Sequence, residues 1–104
     1  MVKFLILWNT PEDPAAFERH YRDVQIPLIK QSPNLRRYTI GHYATPVRGG
    51  EPYCWIAELE WDSMDALQKA FQSPEGKATA QDAANLARAS DPGFRGMVYE
   101  VEEV

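Results

Sequence analysis

Apolar and polar residues alternate along four short stretches of the chain, and this pattern predicts four β-strands. In the third stretch every second residue is apolar, and three of these are aromatic. Successive side chains of a strand point to opposite faces of its sheet, so such a stretch has one buried face. We place the strands at residues 3–8, 35–43, 53–61 and 94–101.

Apolar residues at helical spacing follow the first strand and predict a helix over residues 14–31. Asp13 is a suitable N-cap, and Pro14 suits the first helical position. Pro27 lies inside the helical pattern, and it should kink the helix or end its regular part near residue 26. The predicted buried stripe consists of Phe17, Tyr21, Val24 and Leu28.

Two further helical segments follow the third strand. Asp62 or Ser63 caps the first of them, whose apolar positions are Leu67, Ala70 and Phe71. The pair Ser73-Pro74 signals a new helix start, and this segment continues to about residue 87. The residues 91–93, Asp-Pro-Gly, predict a turn before the last strand.

The resulting order, βαββαβ with an extra helical segment, predicts an α+β fold of the ferredoxin-like type. This fold has a four-stranded antiparallel sheet with helices on one face, here formed by a single domain over residues 1–104. The first strand is apolar on both of its faces, although the helices cover only one side of the sheet. The uncovered face includes Leu5, Leu7, Ile56 and Met97. We therefore expect a twofold homodimer in which two sheets pack face to face.

The composition of the chain argues against several classes of function. The chain has 104 residues and a net charge of −4, and it contains one cysteine. An acidic chain lacks the basic face that nucleic acids require. Its single cysteine favours a reducing cytoplasm, and its N-terminal apolar run is too short for a signal peptide or a membrane span. The spacing of its two histidines and one cysteine gives no metal site, and we expect no cofactor.

Several short motifs, in a fixed order, resemble the EthD family of dimeric α+β barrels. They are a Trp-Asn-x-Pro-Glu-Asp-Pro loop at 8–14, Phe17 and Tyr21, x-Ile-Pro-Leu at 25–28, Pro-Asn-Leu-Arg-Arg-Tyr at 33–38, Ala-Glu-Leu at 57–59, Asp-Ser-Met-Asp-Ala-Leu at 62–67, and Phe-Gln-Ser-Pro-Glu-Gly at 71–76 with Asp82 after it. The resemblance implies this fold, a homodimer and a small-molecule pocket between sheet and helices. Relatives of this architecture include cofactor-free isomerases, cyclases and monooxygenases, so the fold alone does not fix the reaction.

The chain departs from the family pattern at Gln25, where the pattern is His-x-Pro-Leu. An imidazole titrates near neutral pH and can act as a general acid or base, whereas a carboxamide cannot. Gln25 can still orient a ligand by donating and accepting hydrogen bonds. The resemblance therefore implies a pocket at this position without its histidine.

Other candidate site residues follow from their placement along the strands and the first helix. Tyr38 matches a family tyrosine and could donate to a ligand oxygen, and His42 lies on the same strand face, where it could replace the missing histidine. His20 lies beside the buried stripe of the helix. A structural role at the protein surface is the simpler interpretation of both His20 and His42. The remaining candidates are aromatic, and they form either a wall of the pocket or a part of the hydrophobic core: Trp8, Tyr53, Trp55 and Phe71.

These observations leave three hypotheses for the function of the protein. In each, the ligand is a small, mostly apolar, oxygen-bearing metabolite. The first is cofactor-free proton transfer, in which Tyr38 donates, Gln25 positions the ligand, and His42 or His20 carries the proton. The second is binding without catalysis, since Gln25 lacks the chemistry of a histidine. The third is a cofactor-free monooxygenase, which requires an electron-rich substrate and a dry aromatic pocket.

Overall fold

A computed structural model of the protein, which describes residues 1–88 and 93–104, contains a four-stranded antiparallel sheet. Its strands are Val2–Trp8 (β1), Arg37–Ala44 (β2), Tyr53–Trp61 (β3) and Phe94–Glu100 (β4), in the spatial order β2-β3-β1-β4. This order and pairing confirm the predicted ferredoxin-like α+β fold. The first two residues of the predicted 91–93 turn lie outside the described residues.

The helical segments are Pro14–His20 (α1), a π-helical turn at Tyr21–Gln25 (the π turn), Ile26–Lys30 (α2), Met64–Gln72 (α3) and Pro74–Ala87 (α4). Side-chain caps begin three of them, as the sequence predicted. The side-chain oxygens of Asp13 and Ser63 each accept the backbone N–H of the residue three positions later, at donor–acceptor distances of 3.1 and 3.2 Å. Ser73 ends α3 and caps α4, since its hydroxyl donates to the Ala70 carbonyl and accepts the N–H of Gly76.

The π turn changes which residues of the first helical stretch are buried. In the π turn the N–H of Ile26 donates to the carbonyl of Tyr21, five residues back. The turn therefore contains one residue more than an α-helical turn. The regular helix resumes at Ile26 and passes through Pro27, where the sequence predicted a kink or an end. Eight residues of regular helix would have put Gln25 about 80° away from Phe17. The wider turn brings Gln25 back to the buried side.

The predicted buried stripe is consequently wrong in its second half. The observed stripe consists of Phe17, Tyr21, Gln25 and Ile29. Val24 is 36% exposed, and Leu28 is only partly buried. The pattern of 3.6 residues per turn, on which the prediction depended, does not hold across the π turn.

The helices cover one face of the sheet, and the opposite face is open. The covered face and the helices form the core, which includes Ile6, Trp8, Trp55, Ala57, Leu59 and Trp61 from the sheet and Tyr21, Leu67, Ala70 and Leu86 from the helices. On the open face Leu5 is paired with Glu58 on one side and with Met97 on the other. Lys3 lies near Glu58 and Glu60, at 3.8 and 3.2 Å.

Candidate functional site

A cavity of about 290 Å³ lies between the covered face of the sheet and the helices. Its volume is at the lower end of the range for small-molecule sites. The lining is mostly apolar and rich in aromatic rings, and it consists of Phe4, Ile6, Trp8, Tyr21, Gln25, Ile29, Ser32, Leu59, Trp61, Ala70, Phe71, Gly76, Thr79, Ala80, Ala83 and Phe94. Phe71, Ala80 and Phe94 are the exposed members of this set, so they mark its open side.

Gln25 supplies a buried amide to this apolar lining. The residue is 2% exposed, and its amide oxygen is buried with no hydrogen-bond partner in the described part of the chain. A buried polar group without a partner costs free energy, and a bound ligand that supplies the partner removes that cost. The π turn places Gln25 here, one turn beyond Tyr21 on the same buried stripe.

Two tyrosine hydroxyls meet at the wall of the cavity. The hydroxyl oxygens of Tyr21 and Tyr38 are 2.6 Å apart, which is a short hydrogen bond. Tyr21 lines the cavity and is 1% exposed, whereas Tyr38 is partly buried behind it. Burial raises the pKa of Tyr21, although the neighbouring Tyr38 hydroxyl and Trp55 indole partly offset this. Burial, with Tyr21 beside it, raises the pKa of Tyr38 strongly, so both hydroxyls stay protonated at neutral pH.

The structure brings some of the predicted site residues together and separates others. Trp8, Gln25 and Phe71 line the cavity, and Tyr38 adjoins it through Tyr21. The other four predicted residues, His20, His42, Tyr53 and Trp55, are not part of its lining.

His20 lies on the outer side of the helical layer. Its Nε2 atom is 2.8 Å from Oδ1 of Asp82, so the pair joins α1 to α4. Its side chain is partly exposed, while the second oxygen of Asp82 is buried with no partner among residues 1–88 and 93–104. His20 therefore links two helices, and it does not contribute to the lining of the cavity.

His42 lies at a separate groove near the start of α1. The ring of His42 packs edge-on against Trp55, with 4.6 Å between ring centroids. The guanidinium of Arg22 lies 5.4 Å from the centre of the Trp55 ring, and these three residues line the groove together with Phe17. The buried Trp55 ring therefore contacts Tyr21 and also lines this groove. Tyr53 lines neither space.

The sequence prediction missed Tyr21 as a polar group of the site, because its helical spacing marked it as core. Its position four residues before Gln25 was the available signal. The aromatic lining also includes three rings that were not predicted for the site: Phe4, Trp61 and Phe94. Phe4 and Trp61 lie on the apolar faces of their strands, in phase with the predicted Trp8 and Trp55.

Two negative findings apply to residues 1–88 and 93–104. No group of three or more histidine, cysteine or acidic side chains is arranged to hold a metal ion there. No helix in this part of the chain has the length and the apolar character needed to cross a membrane.

Comparison with known proteins agrees with this architecture. The profile of the EthD domain matches residues 9–90. A protein of Rhodococcus erythropolis, described as an uncharacterized 11.0 kDa protein in the thcB-thcC intergenic region, is 38% identical over 88 residues, which are 84% of this chain and 84% of that protein. The structure is similar to that of an ethyl tert-butyl ether D (EthD) family protein from Bacillus halodurans, with a TM-score of 0.85, 29% identity, and coverage of 98% of this chain and 99% of that one.

More distant structures share the fold. One is SnoaB, a cofactor-independent oxygenase from Streptomyces nogalater, with a TM-score of 0.68, 18% identity and coverage of 99% of this chain and 94% of that one. Another is a dimeric protein of unknown function and ferredoxin-like fold from Bacteroides fragilis, with a TM-score of 0.67, 18% identity and coverage of 96% and 95%. The EthD profile spans most of the chain and agrees with the geometry described above, so this protein belongs to the EthD family.

Proposed function

We propose that this protein binds a small, mostly apolar, oxygen-bearing molecule in the cavity between its sheet and helices. The observation that carries the proposal is the buried amide oxygen of Gln25, which has no hydrogen-bond partner among the described residues and lies in a wall that is otherwise mostly aromatic and aliphatic. The apolar wall favours an apolar body through the hydrophobic effect. The amide oxygen only accepts hydrogen bonds, so it favours a ligand group that can donate one, such as a hydroxyl.

Binding is better supported than proton transfer. None of the lining residues described is a histidine, a carboxylate or a lysine. Tyr21 can donate a hydrogen bond, but its raised pKa keeps the hydroxyl protonated at neutral pH, so the phenolate that could act as a base is not formed. His20 and His42, the predicted proton carriers, contact Asp82 and Trp55 instead.

The proton-transfer hypothesis has a direct test at Gln25. The variant Gln25→His restores to the cavity a group that can titrate near neutral pH. If the protein only binds its ligand, this variant gives no turnover over a panel of lactones and polyphenols. Turnover by the wild-type protein, increased by the substitution, would instead identify an isomerase or cyclase.

A cofactor-free monooxygenase is the second candidate function. The aromatic, mostly apolar wall favours it, because such a reaction depends on excluding water from an electron-rich substrate. The similarity to a cofactor-independent oxygenase, at 18% identity, shows a shared fold and gives the reason to test for the activity. The assay is oxygen uptake with electron-rich polyphenols, and the absence of uptake over the panel would reject this function.

We also propose that the protein works as a homodimer in the cytoplasm, with the open faces of two sheets in contact. Apolar side chains on this face remain accessible, and Met97 is 47% exposed. An accessible apolar sheet face of this kind favours a partner surface, and a related fold has been described as dimeric. Sedimentation should give a dimer at micromolar concentration, and a monomer at that concentration would contradict the proposal.

Ligand binding can be tested by filling the cavity. Ala83 and Ala84 are neighbours on α4, but Ala83 is buried and lines the cavity, whereas Ala84 is exposed. We expect Ala83→Phe to weaken the binding of acetophenone, measured by titration calorimetry, by at least about tenfold. The matched Ala84→Phe control should bind like the wild type. No saturable binding by the wild type, or equal binding by both variants, would contradict the cavity as the site.

A further inference from the structure

The tyrosine pair at the cavity wall raises the question of which hydroxyl meets the ligand. Tyr21 is part of the lining and Tyr38 is not, so the order from the cavity outward is Tyr21, then Tyr38. A separation of 2.6 Å places one hydrogen atom between the two oxygens. Each hydroxyl has one hydrogen to donate, and therefore only one of the two can donate within the pair.

The position of Tyr38 favours it as the donor within the pair. Either oxygen could donate across the 2.6 Å that separates them. Tyr38 lies outside the cavity lining and has the Tyr21 hydroxyl as its partner, whereas Tyr21 also lines the cavity. With Tyr38 donating to Tyr21, the hydrogen of Tyr21 is left for a group inside the cavity.

Gln25 lies beside Tyr21 on the same buried stripe. Residues one helical turn apart are neighbours on the helix surface, and both of these residues line the cavity. The pair therefore offers a hydroxyl donor next to a neutral amide, with no charged side chain in the described lining. An ionised ligand group here would lose its hydration and gain no opposite charge.

We propose that Tyr21 and Gln25 form a subsite for a neutral oxygen group, the carbonyl or hydroxyl of the ligand, and that this subsite disfavours carboxylates. Tyr21 donates to the ligand oxygen, the amide oxygen of Gln25 accepts from the ligand where that group is a hydroxyl, and Tyr38 is a positioning residue that holds the Tyr21 hydroxyl toward the cavity. This inference rests on the proposed function, because it names the ligand class of the same cavity. Across the π turn both Tyr21 and Gln25 stay on the buried side of the helix.

Three probes of similar size separate the contributions of shape, hydrogen bonding and charge. They are ethylbenzene, which has no oxygen, acetophenone, which has a carbonyl, and benzoate, which has a carboxylate. Calorimetry with the wild-type protein should show acetophenone binding about 3- to 10-fold more tightly than ethylbenzene, the usual range for one hydrogen bond. Benzoate should bind at least about tenfold more weakly than acetophenone.

Variants of the pair assign the contact. Tyr21→Phe should remove the preference for acetophenone over ethylbenzene, while ethylbenzene still binds and so shows that the cavity is intact. Tyr38→Phe should weaken acetophenone binding by a smaller factor, about 2- to 3-fold. Tyr43→Phe is the control, because Tyr43 is 77% exposed and lies outside the cavity.

The infrared carbonyl stretch of bound, ¹³C-labelled acetophenone gives a readout that altered packing alone does not move. It should be lowered in the wild type, return to its value in apolar solvent in Tyr21→Phe, and change partly in Tyr38→Phe. Equal binding of acetophenone and ethylbenzene, or a stretch unaffected by Tyr21→Phe, would overturn the subsite but leave the binding cavity standing. Failure of both neutral probes to bind the wild type would overturn the proposed function and this inference with it.

Discussion

The two faces of the sheet consist of the same four strands but have different surroundings. On the covered face, Ala57, Leu59 and Trp61 are buried beneath helices, and the cavity lies among such residues. On the open face, Leu5 and Ile56 are half-buried and Met97 is largely accessible, with Lys3 near two acidic residues at one end. Strand alternation alone generates both surfaces, because each strand sends successive side chains to opposite sides.

This difference assigns separate tasks to the two faces. The covered face encloses apolar space with a few neutral polar groups, which suits the binding of a small molecule. The open face has apolar side chains without a cover in the described chain, which suits assembly with another subunit. Substitutions on one face should therefore affect binding, and substitutions on the other should affect oligomeric state.

The largest effect is expected on the open face. Met97→Glu places a charge in the proposed interface, twice in a symmetric dimer, and should raise the dimer dissociation constant by at least about 100-fold. Val47→Glu is the matched control, because it adds the same charge to a fully exposed residue outside the sheet. Analytical ultracentrifugation measures both. A dimer unchanged by Met97→Glu would mean that the open face is not the interface.

A smaller effect is expected from pH on the covered face. Burial raises the pKa values of Tyr21 and Tyr38, so the unfolded chain releases these protons first as pH rises above about 10. The stability that this provides is complete below pH ~10 and is lost as the pH rises through the folded-state pKa values. Each tyrosine contributes a decline of at most about 1.4 kcal/mol per pH unit.

Urea unfolding between pH 9 and 11 tests this expectation. The free energy of unfolding should fall less steeply above pH 10 in Tyr38→Phe than in the wild type. The Tyr43→Phe control, at a largely exposed residue, should follow the wild-type slope. Parallel curves for all three proteins would contradict the burial of the tyrosine pair.

The smallest effect is expected at the edge of the covered face. Val24 fits a regular helical stripe, but the π turn leaves it on the outside. Val24→Lys should therefore change the free energy of unfolding by less than about 0.5 kcal/mol. In a regular helix the same change would bury a lysine and cost several times more. A large loss of stability would show that the helix lacks the π turn.

Much of the fold follows from local sequence patterns. The third strand was predicted with its observed bounds, because its alternation of apolar residues is uninterrupted. The cap at Ser73 was also evident, and Ser63 was one of the two predicted caps of the preceding helix; both side chains satisfy backbone N–H groups of the helices that follow. The open, apolar face was also predicted, because the first strand is apolar on both sides while the helices can cover only one face of the sheet.

The site was less predictable, because it depends on departures from regular geometry. No simple periodic pattern announces a π turn, so its effect on Gln25 and Val24 appears only in three dimensions. His42 lies on the same face of the strand as Tyr38. It is farther along the strand, however, where it packs against Trp55 and lines a different groove. Strand phase identifies the face that a side chain occupies, but it does not identify the space above that face.

A crystal structure of the protein with acetophenone would show directly where the ligand binds and how it is oriented. We expect the aromatic ring of the ligand within the cavity near Trp8, and its carbonyl oxygen within hydrogen-bonding distance of the Tyr21 hydroxyl. Ligand density beside His42 and Trp55 with an empty cavity, or a ligand in the cavity with its oxygen directed away from Tyr21 and Gln25, would contradict this expectation.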